Sequence, residues 1–297
     1  MKRFPQAVLG LLLLIAAPAF AQEPAIVGTL LVAHGASAEW NAQVEQLAAQ
    51  AQLTGPLEIC YIMGPDAASH LFQDAVARLV AKGVSRIVVV PLLVSSHSEH
   101  YEQVRWLAGE TDSLSATMQE HTHHAGHARA QTGVPIVVAR ALDDSPAMAL
   151  VLADRAKALA GGDVSKRALF LVGHGPNSAE DYAAWMSNLR RVADSVRVRS
   201  GFGDVRVDVV RDDAPAEVRS EAVTRVRELI RMQYLITGDS VVVVPVLISR
   251  GRISRETFMK DLAGLPVVYS GDPLLPHPAL SQWLENRVRE AQTVAAR

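Results

Sequence analysis

The chain has 297 residues, enough for two domains of ordinary size, with a formal net charge of −2 and a single cysteine. Such a balance argues against a general nucleic-acid binder, and one thiol rules out an intramolecular disulfide.

In chain order, Met1-Lys2-Arg3 is a short positive region, and Ala7–Ala17 is an apolar run too short to span a bilayer. Pro18 and then Ala19-Phe20-Ala21 complete the pattern of a secretory leader, with cleavage expected after Ala21. The expectation is an exported, periplasmic protein with no stable membrane span once residues 1–21 are removed. Thr29-LLVAHG-Ala36 reads as a strand ending in His34-Gly35, and Ala38–Gln52 as a helix. Leu57–Met63 is a second strand, with Cys60 as a small buried hydrophobe. Ala67–Lys82 places Leu71, Ala75 and Leu79 at helical spacing. Ile87–Val94 is a β-branched strand interrupted by Pro91, and His97, Glu99, His100 and Glu102 follow it. Pro135-IVVAR-Ala141 and Ser145–Leu159 supply a fourth strand and a final helix.

After Gly161-Gly162-Asp163 the pattern is written again. Leu169-FLVGHG-Pro176 matches the first strand, and Val241-VVVPVLIS-Arg250 matches the third, with Pro245 in the place of Pro91. Helical patterns at Ala179–Ser195, Pro215–Met232 and His277–Ala291, and strands at Val205–Arg211 and Pro266-VVYSG-Asp272, complete the second copy. Strands alternating with helices, with near-continuous Val/Ile runs, predict parallel sheets buried on both faces. The fold class expected is α/β: two similar domains, 22–161 and 162–297, each a parallel four-stranded sheet flanked by helices, with a cleft between them. Pro91 and Pro135 are farther apart than Pro245 and Pro266. The extra residues form a polar insert, 110–133, carrying His121, His123, His124 and His127.

Open parallel sheets bind ligands beyond the carboxyl ends of their strands. His34 and the group His97, Glu99, His100 and Glu102 stand at such ends, on strands that can be neighbours. Two imidazoles and a carboxylate suit a borderline divalent ion, Co2+, Fe2+, Ni2+ or Zn2+, and suit Mg2+ or Ca2+ poorly. Spacing alone does not choose between His97 and His100. Glu102 reads equally as a base or as a first-turn acid favoured by the helix dipole. Ala33 stands before His34 where a phosphate pocket would carry arginine, and no Gly-rich phosphate loop is present, which argues against phosphoryl transfer.

VAHGAS, LVAKGVSR and IVVVPLLVSSHSEHYEQV together resemble the class II tetrapyrrole chelatases, the sirohydrochlorin cobalto- and ferrochelatases in their long two-repeat form. The resemblance implies a lyase that inserts Co2+ or Fe2+ into a sirohydrochlorin-like tetrapyrrole without ATP. By motif it makes His34 and His100 the histidines that bind the metal or take pyrrole protons, and it makes His97 an addition. The second copy departs from the pattern. His174 matches His34, but the counterpart of His100 is Ser254. One functional site in the first half is therefore expected, with His174 either a vestige or still within reach of the ligand. A carboxylate-rich macrocycle calls for cations, and Arg250, Arg252 and Arg255 are placed to grip it. The insert histidines are expected to collect metal weakly on a poorly ordered arm. An exported, non-catalytic carrier of metal or tetrapyrrole is the alternative, since fold does not fix function. A homo-oligomer is left open.

Overall fold

A computed structural model describes residues 26–294; the leader expected at 1–21 lies outside the described residues. The first half runs β1 (Val27–Ala33), α1 (Ala38–Gln50), β2 (Leu57–Tyr61), α2 (Phe72–Ala81), β3 (Arg86–Leu92), α3 (Glu99–Ala108), α4 (Ala116–His124), β4 (Ile136–Val138) and α5 (Pro146–Ala160). The second runs β5 (Ala168–Gly173), α6 (Ala179–Ser200), β6 (Asp204–Val209), α7 (Ala216–Thr237), β7 (Val241–Val246), a π-helical turn (Ile253–Thr257), α8 (Phe258–Asp261), β8 (Val267–Tyr269) and α9 (Pro278–Val294). The two sheets are parallel, with orders β2-β1-β3-β4 and β6-β5-β7-β8. Fold class, repeat and strand neighbours are those expected from the sequence. Among the described residues no helix is long and apolar enough to cross a membrane.

The Val/Ile runs point both ways because both sheet faces are covered. Leu30, Val32, Ile87 and Val89 meet α2 and α3 on the outer face of the first sheet, through Phe72, Leu79, Val104 and Leu107. Phe170, Val241 and Val243 meet Val226, Ile230 and Phe258 on the outer face of the second. The inner faces share one core with α1, α5, α6 and α9. The last helices are exchanged: α5 packs on β7 and α9 on β3. Hydrogen bonds record the exchange. Arg155 of α5 reaches the carbonyls of Pro273 (3.1 Å) and Pro276 (2.7 Å), and Arg287 of α9 reaches that of Ala141 (3.1 Å). Cys60 is fully buried, and burial pushes its thiol pKa up.

The insert corrects an expectation. It is folded, not a loose arm. Ser115 caps α4 by accepting the Met118 N–H (3.3 Å), and Met118, Thr122 and His127 are buried. Polar residues here are buried because each is hydrogen-bonded, a state that apolar periodicity does not register.

Candidate functional site

The carboxyl end of β1 turns sharply at Gly35, where φ is +83° and a Cβ would stand 2.3 Å from the Met63 carbonyl oxygen. Only glycine fits that turn. It leaves the His34 carbonyl to accept the Met63 N–H (2.7 Å), which ties the ends of β1 and β2 together. Beyond the neighbouring strand, Ser98 caps α3 by accepting the Tyr101 N–H (3.2 Å) and sets His100 in its first turn. The two imidazoles meet with centroids 5.0 Å apart and planes at 85°. Two imidazoles sharing one ion, with metal–nitrogen bonds of about 2.0–2.1 Å and right-angled to tetrahedral bond angles, have centroids roughly 4.5–5.2 Å apart.

Hydrogen bonds decide which ring nitrogen is free. His34 Nδ1 lies 3.0 Å from the Gly35 carbonyl, which can only accept, so Nδ1 carries the proton and Nε2 keeps its lone pair. His100 is set by a longer relay. The Thr122 hydroxyl donates to the Met118 carbonyl (2.5 Å), so Oγ1 accepts from Gln103 Nε2 (2.9 Å). Gln103 Oε1 therefore faces His100 Nδ1 (3.1 Å) and takes its proton's hydrogen bond, which leaves Nε2 free there too. Gln103 and Thr122 are each 1% exposed, so water does not compete for these bonds. Burial, and then the adjacent His100 ring, lower the His34 pKa to about 4. Burial also holds His100 below the usual imidazole range. Both rings are neutral near pH 7, the form that binds metal.

The second half faces this pair. His174, at the end of β5, repeats the His34 geometry: Nδ1 donates to the Gly175 carbonyl (2.8 Å) and Nε2 lies 3.1 Å from the Asp213 carboxylate. Burial alone would lower its pKa, but the Asp213 hydrogen bond and charge outweigh burial and raise it. The hydrogen bond from His174 lowers, in turn, the pKa of Asp213. His174 thus sits across the cleft from the first-half pair, in contact with a carboxylate.

The other expected residues fall as follows. His97 is exposed and lines a neighbouring cavity of about 600 Å³ together with Glu99, Glu102, Glu180 and Asp181. Its backbone carbonyl accepts the Trp185 indole N–H (2.6 Å), which pins this turn to α6. The Glu102 carboxylate is paired with Arg105 on its own helix (3.1 Å). His121 is exposed on α4, near enough that its charge lowers the His100 pKa. His123 and His124 are exposed in the last turn of α4. His127 is corrected from metal collector to structural residue. It is buried, with Nδ1 3.2 Å from the Phe72 N–H nitrogen and Nε2 3.1 Å from the Tyr61 carbonyl, so both ring nitrogens are in use. The arginine cluster is drawn partly into ion pairs within the protein. Arg250 is ion-paired with Asp272, tying the β7 and β8 loops together, and Arg255 with Glu39 of α1. Arg252 is exposed and, among the described residues, in no ion pair.

Gln103, Thr122 and Asp213 were not singled out from sequence. Asp213 carried a signal all the same, since it follows the carboxyl end of β6 just as His97 and His100 follow β3.

Residues 28–159 match the CbiX family. No curated protein matches the chain. Among solved structures, SirB from Bacillus subtilis with Fe3+ superposes with a TM-score of 0.60 at 20% identity, covering 92% of this chain and 98% of that one. The sirohydrochlorin chelatase SirB from Bacillus subtilis subspecies spizizenii, in complex with cobalt, gives 0.59 at 17%, over 92% and 98%. CbiX, described as the terminal enzyme for siroheme biosynthesis in denitrifying bacteria, gives 0.51 at 14%, over 89% and 99%. At these identities the superpositions establish a shared fold.

Proposed function

We propose that this chain, whose residues 28–159 match the CbiX family, is a class II chelatase that inserts a divalent cation, Co2+ or Fe2+, into a sirohydrochlorin-like tetrapyrrole in the periplasm, without ATP. The observation that carries this reading is the His34–His100 pair, 5.0 Å apart, with both Nε2 lone pairs unclaimed.

Insertion needs an ion held firmly enough to be positioned and loosely enough to be handed over. Two neutral imidazoles at an open strand end meet that need, since coordination positions remain for water or pyrrole nitrogens. A low pKa makes His34 a ligand more than a proton store, so the pyrrole protons pass on to water in the cleft. The cavity walled by Glu99, Glu102, Glu180 and Asp181 repels a carboxylate-rich macrocycle and attracts cations. It therefore serves the metal's approach, while the macrocycle enters between His34 and His174. Export rests on the leader pattern at residues 1–21 alone.

A second reading is a carrier that binds metal or tetrapyrrole without turnover. It draws support from Arg250 and Arg255, whose ion pairs leave fewer cations to grip substrate carboxylates. One experiment separates the two. Purified protein, Co2+ and metal-free sirohydrochlorin are followed by absorbance, and insertion is expected to outrun the protein-free reaction. His34→Ala or His100→Ala is expected to remove the gain. Unchanged rates in both variants would overturn the proposal, and tight binding with no rate gain would favour the carrier.

A further inference from the structure

The two halves have diverged in opposite directions at equivalent places. Met63 and Arg211 occupy matching positions, each giving its N–H to the carbonyl of the preceding strand-end histidine at 2.7 Å. Counting onward from them, the first half has Gly64 and Pro65 where the second has Asp212 and Asp213. Conversely, the first half has His100 where the second has Ser254. One half thus offers two imidazoles, and the other one imidazole with two carboxylates. A ring nitrogen of His174 and a carboxylate oxygen from each of Asp212 and Asp213 lie within 4.8 Å of one another, and the Nε2–Asp213 distance is 3.1 Å.

We propose that these three residues form a second divalent-cation position, facing the His34–His100 pair across the cleft. Three features support a cation site over a plain ion pair. The His174 ring is oriented as metal-binding imidazoles are, with Nδ1–H on a backbone carbonyl and Nε2 directed at the other donors. Asp212 is held by Arg219, whose Nε lies 3.0 Å from Oδ1, so one oxygen is oriented and the other is left for a ligand. Asp213 is well exposed, its side chain at 67%, so an ion reaches the position from the cleft. A cation bound here takes Nε2 as the neutral imidazole, so a proton carried on that nitrogen leaves to water. One nitrogen and two anionic oxygens suit a harder borderline ion than two imidazoles do, with Mn2+, Fe2+, Co2+ and Zn2+ as the class.

The proposal does not depend on tetrapyrrole chemistry. It is tested by counting ions bound to the full chain in equilibrium dialysis against Co2+, with the visible spectrum recorded alongside. Asp212→Asn/Asp213→Asn is expected to bind one fewer Co2+ than the unaltered chain and to keep the spectrum of the ion at the histidine pair. His174→Ala, which leaves both carboxylates and Arg219 in place, is expected to lose the same ion. His34→Ala/His100→Ala should instead lose the other ion and keep the carboxylate-bound one, so failure of the first site and failure of the second are read separately. Equal stoichiometry, with affinities within about twofold, in the unaltered chain, Asp212→Asn/Asp213→Asn and His174→Ala would overturn the second position.

Discussion

Replacing Gln103 by leucine keeps the volume of a fully enclosed side chain and deletes the acceptor of the His100 Nδ1–H. Without that acceptor the ring can rotate or carry its proton on Nε2, and either change removes the lone pair that the cation needs. Losing a hydrogen-bonding partner behind a metal-binding histidine costs about 10–100-fold in affinity, or about 1.4–2.8 kcal/mol. Gln103→Leu is therefore expected to weaken Co2+ binding by that factor, measured by competition with a chromophoric chelator in an Asp212→Asn/Asp213→Asn background. Thr122→Val probes the relay one step farther back. It strands the Gln103 N–H in a buried site, so stability should fall by about 1–3 kcal/mol, with a smaller loss of affinity than in Gln103→Leu. Gln103→Glu keeps an oxygen facing Nδ1 and should bind Co2+ more tightly than Gln103→Leu. If Gln103→Leu holds Co2+ within about twofold of the parent, the relay does not set the His100 tautomer and the reasoning fails.

Two further outcomes concern residues away from the cation. His127→Ala is expected to lower stability by about 2–4 kcal/mol in urea unfolding, because it opens a cavity and strands the Phe72 N–H and Tyr61 carbonyl, while the number of bound Co2+ stays unchanged. Asp144 pairs with Arg191 across the two halves at 2.7 Å, and that pairing holds its carboxyl below the usual range. A depressed carboxylate adds stability above its unfolded pKa and loses it as the pH falls through the folded one. Asp144→Asn should thus flatten the acid limb of the stability curve, by less than about 1 kcal/mol because both partners are partly exposed, and the difference should vanish in strong acid.

Periodicity and repetition made the fold legible. Strand runs that end in His-Gly or carry one proline at a fixed place are strong local signals, and pairing them half against half predicts the sheets and the meeting of His34 with His100. What stayed hidden was polar. Thr122, Gln103 and His127 contribute through hydrogen bonds inside the protein, and a sequence pattern of hydrophobicity scores such residues as surface. The insert therefore read as a loose arm of histidines, although one of them is a buried strut and a threonine beside it orients the ligand on α3. The ion pairs of Arg250 and Arg255 were hidden for a related reason. Each was read by its charge, and only the fold brings Asp272 and Glu39 to them. Asp213 has no motif of its own to mark it, although its place after β6 follows the same strand-end logic.

Each half lends its terminal helix to the other, so the jaws of the cleft cannot swing apart as two hinged lobes. Parting them would pull α5 off β7 and α9 off β3 and open the core that both share. The span from His34 to His174 is accordingly a gauge of set width. On the function proposed above, a macrocycle seated there would have to bend to bring its donors toward the cation, with the polypeptide as the anvil.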